Sequence, residues 1–381
     1  MKIWRYALLI LIVFTSVSCS ANTPSPSNNQ EANVNHANSN QNRPMETEKY
    51  TVEKIEFSIT DFRPLFVKLL DDQNMAVILN NKFPGKPHSE LIDRVYIYNL
   101  ETKNKSLVFE GKFLGNNWIA NFKQTNLGNF LIEGSISALE IEKDTFKLKG
   151  LIPFPQGTYE EDSSHDQSQV LYNNEGGLYL HTLNSPSSQD TLIYKRDTRE
   201  NQPVPTKPLW SFDDKKISYF LYNHANQALN QVLILDPISG KQKSFTVSNL
   251  ESGWWFDDSK RFVTFSTGAV IGLIPKITVI DTGNDEVHEY QTTGDVEMDS
   301  SPFGDQVLYL HKDQGELEKG KYPPERLVVL NVATNTSEIV TPDFLNIRSY
   351  AFSPSGNEIM FIGNLTPGED QSIYMARKKK S

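Results

Sequence analysis

The sequence contains a single cysteine, Cys19, among its 381 residues. An intramolecular disulfide is therefore excluded. A chain of this length can fold without one, because it buries a larger share of its surface than a small exported domain does. The composition supplies a core, since 38% of the residues are hydrophobic and 21 Phe, 15 Tyr and 5 Trp are present. Phe and Tyr also favour strands over helices.

Basic residues are in the minority. Once Lys2 and Arg5 are removed with the leader described below, 35 basic residues face 47 acidic ones, a net charge of −12. Phosphate groups are bound mainly by Lys and Arg, which replace the counterions of the nucleic acid. We therefore expect no nucleic-acid partner.

Sequence motifs that carry known chemistry are also missing. The chain has no His-Glu-x-x-His pair, phosphate loop, dinucleotide fingerprint or Gly-x-Ser-x-Gly elbow. Ser164-His165-Asp166 contains the residue types of a catalytic triad, but neighbours in sequence point in different directions. The seven histidines lack the spacing of a local zinc pair. The sequence therefore predicts no catalytic residue, metal ligand or cofactor.

The first eighteen residues predict an export signal. Met1–Tyr6 carries two positive charges, Ala7–Phe14 is uninterrupted apolar sequence, and small residues follow. The apolar run is about half of the ~20 residues that span a bilayer as a helix, which disfavours a permanent anchor helix. Ser16-Val17-Ser18-Cys19 resembles a bacterial lipobox, with Ser16 where leucine is usual. The resemblance implies a lipid on Cys19 and a location outside the cytoplasm; ordinary cleavage after Ser18 and soluble secretion is the alternative.

Residues 19–49 form a polar segment of Asn, Ser, Pro, Gln and Glu. Such a composition buries too little apolar surface to offset the entropy of ordering, so we expect a disordered linker. A flexible coil of ~30 residues spans on the order of 30 Å, which suits a tether between a membrane and a domain. An ordinary disordered terminus is the alternative. Residues 50–377 are predicted to fold, and residues 378–381 to form a solvated basic tail.

A repeat follows the linker. Its clearest copies are Pro208–Ile217, Gly253–Phe262 and Tyr350–Ile359, each a strand, a tight turn of Asp, Gly or Ser, and a second strand. A further strand pair follows each copy except the last. The spacing of about 45 to 50 residues is that of a four-stranded propeller blade. The sequence thus predicts an all-β propeller of antiparallel blades.

Weaker copies extend the repeat toward the N-terminus. They include a copy beginning at Leu65, a copy beginning at Trp118, and a third at Gln169–Lys195 with a poorly defined fourth strand near Gln202. The last copy stops one strand short, and Tyr50–Ser58 supplies a spare strand that would close the ring. The count predicts seven blades, or six if one N-terminal copy is misread.

The hairpin turns resemble those of a known family. Trp210-Ser211-Phe212-Asp213-Asp214-Lys215 and Ser353-Pro354-Ser355-Gly356-Asn357 are similar to the hairpin of TolB-type propellers. Together with the lipobox, the chain resembles the YqgU-like propeller lipoproteins of Gram-positive bacteria, a resemblance that implies six blades. Asp213, Asp257 and Gly356 are assigned to turn geometry. Asp281–Glu286 is rich in oxygen ligands but lacks calcium-loop spacing, so a hairpin turn is favoured over a calcium site.

Loop lengths predict a functional face. Turns joining strands one and two, or three and four, share one face of a propeller and are tight here, as in Asp71–Asn74. The other connections are long, namely Asn81–Arg94, Pro153–Ser168, Tyr222–Asn230 and His311–Arg326. Binding residues commonly lie on long loops, although tolerated insertions are an equal alternative. The candidate residues are His88, Glu90, Asp93, Tyr159, Glu160, Glu161, His165, Asp166, His224, His311, Tyr322 and Arg326.

These observations support three hypotheses. The first is a non-enzymatic module that binds a protein or glycan of the cell envelope and is held on the membrane by a lipid. The second is an envelope hydrolase or lyase with histidine and carboxylate residues in the central cavity. The third is support of envelope assembly, as TolB-type domains provide. Fold alone cannot choose among them.

Overall fold

The computed structural model describes most of the chain after residue 43. The described residues are 44–81, 92–114, 121–135, 137–154, 159–183, 190–197, 199, 202–223, 230–247, 250–266, 275–292, 294–298, 301–312, 323–366 and 369–380. Backbone alone is described at 159–161, 250 and 295. Across these ranges we find strands and turns, and no helix that could cross a membrane.

The first three blades are four-stranded antiparallel sheets. Blade 1 contains β3 (Phe62–Leu69), β4 (Asn74–Asn81), β5 (Asp93–Asn99) and β6 (Lys105–Gly111). Blade 2 contains β7 (Asn121–Gln124), β8 (Phe130–Glu133), β9 (Ser137–Ile141) and β10 (Leu148–Pro153). Blade 3 contains β11 (Tyr159–Ser163), β12 (Gln169–Asn174), β13 (Gly177–Thr182) and β14 (Thr191–Lys195). In each blade the strands pair in sequence order.

The next three blades repeat this arrangement. Blade 4 contains β15 (Val204–Trp210), β16 (Ile217–Tyr222), β17 (Gln231–Leu235) and β18 (Gln242–Thr246). Blade 5 contains β19 (Leu250–Trp255), β20 (Arg261–Ser266), β21 (Lys276–Asp281) and β22 (Val287–Gln291). Blade 6 contains β23 (Asp295–Glu297), β24 (Gln306–Lys312), β25 (Glu325–Asn331) and β26 (Thr336–Ile339).

Blade 7 joins the two ends of the folded chain. It contains β27 (Asn346–Phe352), β28 (Glu358–Asn364) and β29 (Ser372–Lys378), and its fourth strand is β2 (Tyr50–Ile55). β2 runs antiparallel to β29 from Tyr50 opposite Lys378 to Ile55 opposite Ile373. A short β1 (Met45–Glu46) extends the sheet beyond β2. The predicted closing strand and the count of seven blades are confirmed, whereas the six blades implied by the family resemblance are not found.

One strand assignment was wrong. We expected the fourth strand of the third blade near Gln202 and a single long loop over Pro153–Ser168. The structure instead places the strand β11 inside that range, as the first strand of blade 3. Its sequence, Tyr-Glu-Glu-Asp-Ser, has no apolar alternation, and this polar pattern hid it from a search for strands.

The core lies between neighbouring blades. Where blades 6 and 7 meet, Phe344 contacts Phe361 and Tyr374 edge to face, with ring centroids 5.1 and 5.0 Å apart. Similar apolar clusters lie between blades 7 and 1 and between blades 5 and 6. Each fully buried Leu, Phe or Val side chain contributes roughly 1.5–3 kcal/mol. Stability is therefore distributed around the ring.

The hairpin turns have the predicted structural role. The Asp213 carboxylate accepts hydrogen bonds from the Ser211 hydroxyl at 2.8 Å and the Lys215 amide at 3.2 Å. Gly356 has φ +72°, and a Cβ there would lie 2.0 Å from the Phe303 ring. A side chain is excluded at this position by both space and backbone conformation. Asp281 likewise accepts the Gly283 amide at 2.8 Å, which confirms the hairpin turn predicted at Asp281–Glu286.

Candidate functional site: the axial cavity

The first strands of the blades face the centre of the ring. β27 contacts β3, and β15 contacts both β11 and β19, so these strands from different blades lie next to one another. A cavity of about 450 Å³ lies among them, which we call the axial cavity. Its walls come from blades 1, 5, 6 and 7 and include Leu65, Phe66, Phe265, Glu297, Arg348 and Tyr350.

The axial cavity lies toward the face with the longer connections. β27 reaches its tight hairpin turn after Phe352, so Arg348, near its start, lies toward the opposite end. Gln371 also lines the cavity, and it belongs to the connection between β28 and β29, on that same side. Toward the other side the space narrows to about 40 Å³ between Asn121, Phe122 and Trp254. The cavity is therefore wide on one face of the ring and constricted behind it.

The acidic side chain of the cavity, Glu297, forms an ion pair with a lysine of the same blade. Glu297 forms a 2.7 Å ion pair with the Lys312 ammonium, which also lies 3.5 Å from a Glu325 carboxylate oxygen. Burial alone would lower the pKa of Lys312, but the two carboxylates outweigh burial and raise it. The Tyr350 hydroxyl donates to the Glu297 carbonyl oxygen at 2.7 Å, which fixes the ring as a wall of the cavity.

The basic side chain of the cavity has no such partner among the described residues. The Arg348 side chain is exposed, and its Nε donates to the Asn346 amide oxygen at 3.0 Å. No carboxylate in the described part of the chain pairs with its guanidinium. Arg63 lies close enough that burial first, and then the charge of Arg348, lower the Arg63 pKa. The guanidinium groups of Arg63 on β3 and Arg348 on β27 are thus close enough to repel each other.

A buried ionic cluster lies where blades 2, 3 and 4 meet. The Lys123 ammonium pairs with Asp162, lies 3.3 Å from Glu133 and donates to the Ser163 carbonyl oxygen at 2.6 Å. All three charged side chains are at most 8% exposed. Asn121 donates to both carboxylates, at 3.2 and 3.4 Å. We call Lys123, Glu133 and Asp162 the Lys123 cluster.

The Lys123 cluster has one cation for two carboxylates. Burial raises the pKa of Asp162 to about 6, with Lys123 lowering it and Glu133 raising it. Burial opposes the charge of Lys123 too, yet Asp162 and Glu133 outweigh it and raise the pKa of the ammonium group. The physical cause is a shared site in which a single positive charge cannot neutralise both acids.

Carboxylates of one blade hold the backbone of the next. The Trp210 amide on blade 4 donates to Asp162 at 2.6 Å, and the Ser163 amide on blade 3 donates to Glu133 at 2.9 Å. Asp93 on blade 1 accepts the Phe113 and Leu114 amides at 3.1 and 3.2 Å, ahead of blade 2. Backbone amides that strand pairing leaves free at the blade junctions are satisfied in this way. Asp93, a candidate binding residue, is buried and engaged in this contact.

Two other candidates lie on the opposite face. His165 and Asp166 belong to the connection between β11 and β12, which is a turn between first and second strands. The His165 ring lies 2.9 Å from Asp214, and the Asp166 amide donates to Asp214 at 3.0 Å. The Ser164 hydroxyl donates to Asp166, so Ser164, His165 and Asp166 form no triad. Placing His165 and Asp166 on the long-loop face was wrong because β11 had been read as loop.

The remaining candidates are only partly described. His311 and Arg326 are opposite each other in the ladder of β24 and β25, and Arg326 pairs with Asp343. Tyr159, Glu160 and Glu161 lie on β11, of which only the backbone is described there. His88, Glu90, His224 and Tyr322 lie outside the described residues. The structure brings none of the described candidates into the axial cavity.

Sequence reasoning missed Arg63 and Arg348. It looked for function in long loops, whereas both arginines lie on first strands of the structure, β3 and β27, just ahead of the residues where the predicted copies begin. The available signal was a basic residue in an apolar strand, as in Asn-Ile-Arg-Ser-Tyr-Ala-Phe. Only the ring geometry shows that these two strands are neighbours, because β3 and β27 lie at opposite ends of the sequence.

Comparison with known proteins supports the fold. No family model and no curated protein sequence matches the chain. Among solved structures, an oligogalacturonate lyase in complex with manganese has a TM-score of 0.57 at 11% identity, with 87% of this chain and 93% of that one covered. The oligogalacturonate lyase of Vibrio parahaemolyticus has a TM-score of 0.54 at 13% identity, covering 86% and 93%. At such identities the similarity shows the propeller fold alone.

TolB from Acinetobacter baumannii also matches, at 14% identity over 80% of each chain. Its TM-score of 0.40 is too low to carry an argument. The resemblance to TolB-type propellers therefore rests on the hairpin residues, and the number of blades on the structure.

Proposed function

We propose that the protein is an extracytoplasmic binding module whose axial cavity takes a saccharide of the cell envelope. The observation that supports this proposal is the cavity of about 450 Å³ bordered by residues of blades 1, 5, 6 and 7. This volume falls in the range of small-ligand sites. Phe66, which is half-buried, offers a flat apolar wall against which a sugar ring can pack, and Arg348 offers hydrogen-bond donors.

The proposal keeps the lipid on Cys19 as the anchor and the polar segment between Cys19 and β1 as the spacer. A tethered module can reach a ligand on the order of 30 Å from the membrane without leaving it. The enzyme hypothesis has one supporting fact, the fold shared with oligogalacturonate lyases, which does not extend to the chemistry of a site.

Binding can be tested on the soluble chain from residue 20. We expect an array of neutral, amino and acidic saccharides to give at least one ligand, and Phe66→Ala to weaken its binding by about tenfold or more in calorimetry. Phe212→Ala is the matched control, since Phe212 is an exposed aromatic residue beside His165 on the opposite face. Equal losses in both variants, or ligand binding by neither the parent nor the variants, would contradict the proposal.

The anchor gives a separate prediction. Cys19→Ala should move the protein from the membrane fraction to the soluble fraction, because lipidation needs the thiol. Fractionation followed by immunodetection measures this, with Ser20→Ala as the control that should stay on the membrane. Membrane retention of Cys19→Ala would show that lipid on Cys19 is not what holds the protein.

A further inference from the structure

The charge balance of the axial cavity narrows the class of saccharide. Glu297, the carboxylate in its wall, is paired with Lys312, an ammonium group that it shares with Glu325. Arg348 has no carboxylate partner among the described residues and is exposed to the cavity. Arg348 is therefore the charged side chain of the wall that no described group of opposite sign pairs with, in a chain whose net charge is −10.

A second arginine strengthens this charge. Arg63 on β3 and Arg348 on β27 repel each other enough to lower the pKa of Arg63, although burial is the larger cause. Two guanidinium groups close to each other repel, and an anion bound by Arg348 would relieve that repulsion. A guanidinium also presents a planar fork of donors that matches a carboxylate.

A hydrogen bond to Asn346 orients the guanidinium group of Arg348. Its Nε is held by the Asn346 amide oxygen at 3.0 Å, and the Gln371 amide nitrogen donates to that same oxygen at 3.3 Å. These contacts occupy Nε, and among the described residues no hydrogen bond is found to the two terminal nitrogens. Gln371 also borders a second cavity of about 540 Å³ between residues 54–62 and 370–372, so the two spaces adjoin. The second cavity is bordered by Glu56, Asp61 and Asp370 and by one lysine, Lys54, so the carboxylate of a ligand is expected at Arg348 and not in that space.

We infer that the ligand of the axial cavity is an acidic oligosaccharide, a sugar acid whose carboxylate is bound by Arg348 while its ring packs on Phe66. This inference rests on the proposed saccharide-binding function and specifies its substrate class. Arg63 contributes charge from the neighbouring strand. The apolar walls favour a sugar acid over a free inorganic anion, which has no face to pack against them.

The test uses ligands that differ only in charge. Galacturonic acid trimer and its methyl ester have the same backbone, and calorimetry on the chain from residue 20 compares them at low salt. We expect the acid to bind about tenfold or more tightly than the ester, and the difference to shrink at high salt. Equal affinity for acid and ester would overturn the inference. Tight binding of a glycerol phosphate oligomer, with no binding of the acid, would overturn it in favour of a phosphate ligand.

Variants separate this inference from the proposed function. Arg348→Gln should reduce affinity for the acid by about tenfold or more and leave affinity for the ester unchanged. Arg199→Gln, which removes an exposed arginine paired with Asp197, is the control for net charge and should leave both affinities unchanged. Acid binding that survives in Arg348→Gln overturns the role of Arg348. A neutral saccharide found on the array, with no preference for acids, overturns the inference and leaves the binding function standing.

Discussion

Replacing Lys123 with methionine should lower the free energy of unfolding by about 3–5 kcal/mol at neutral pH, the usual cost of breaking a buried ion pair from one side. Methionine has a similar length and leaves the packing nearly intact. It also leaves Glu133 and Asp162 buried without a cation. Urea unfolding followed by Trp fluorescence measures the loss. The matched control is Lys215→Met, whose exposed side chain has only a 3.7 Å ion pair with Asp213.

The same variant should be sensitive to pH. In the folded protein the pKa of Asp162 is raised to about 6, above the ~3.9 of an unfolded aspartate. The folded state therefore binds the additional proton, and the stabilisation that this proton gives is complete below about pH 4 and lost as pH rises through about 6. Without Lys123, whose charge lowers this pKa, the window moves to higher pH. The destabilisation by Lys123→Met should consequently be smaller at pH 5 than at pH 8.

A double variant tests whether the unpaired carboxylates cause the loss. Adding Asp162→Asn to Lys123→Met removes one of the two buried charges while keeping an oxygen acceptor for the Trp210 amide. We expect stability to recover in part and the pH dependence to weaken. A Lys123→Met variant as stable as the parent at pH 8 would mean that the cluster contributes nothing to the junction of blades 2, 3 and 4.

Replacing Val52 with aspartate should be comparably destabilising, by roughly 4 kcal/mol, because it places an unpaired charge in the closing strand. Val52 is fully buried between Leu308, Tyr374 and other apolar residues of the cluster joining blades 6 and 7. Thermal unfolding measures the effect, and size-exclusion chromatography should show association through the β29 edge that β2 normally covers. Lys54→Asp is the control, since Lys54 is exposed on the same strand. Equal stability of both variants would show that β2 is not needed for closure.

The architecture was predictable from sequence wherever hairpins repeated a strong pattern. Trp210, Trp255 and Phe352 end the first strands of their hairpins, and the following turns carry the expected Asp, Ser and Gly. The closing strand could be deduced from the count alone, because the last copy lacks one strand and Tyr50–Ser58 has no other partner. These features depend on local sequence, where turn chemistry and apolar alternation have direct physical causes.

The candidate site was much less predictable. β11 is polar because its carboxylates hold the amides of neighbouring blades, a role that depends on contacts between blades. His165 was assigned to the wrong face for the same reason. Because β11 is a strand, His165 lies in the turn between the first and second strands of blade 3, on the opposite face. The axial cavity joins Phe66 to Tyr350, residues that only ring closure brings together. No sequence pattern within a single blade predicts that these two residues lie close together.

The pairing of β2 with β29 also sets an order of events during biosynthesis. Glu53 and Arg377 form a hydrogen-bonded ion pair across 324 positions of the chain. The N-terminal partner leaves the ribosome first, so the ring cannot close before residues 372–378 of β29 have been made. Until then β2 lacks its β29 partner, and contacts this distant in sequence form slowly. Blade 7 cannot be completed until β29 has been made. A chaperone that covers residues 50–55 would prevent β2 from pairing elsewhere in the meantime.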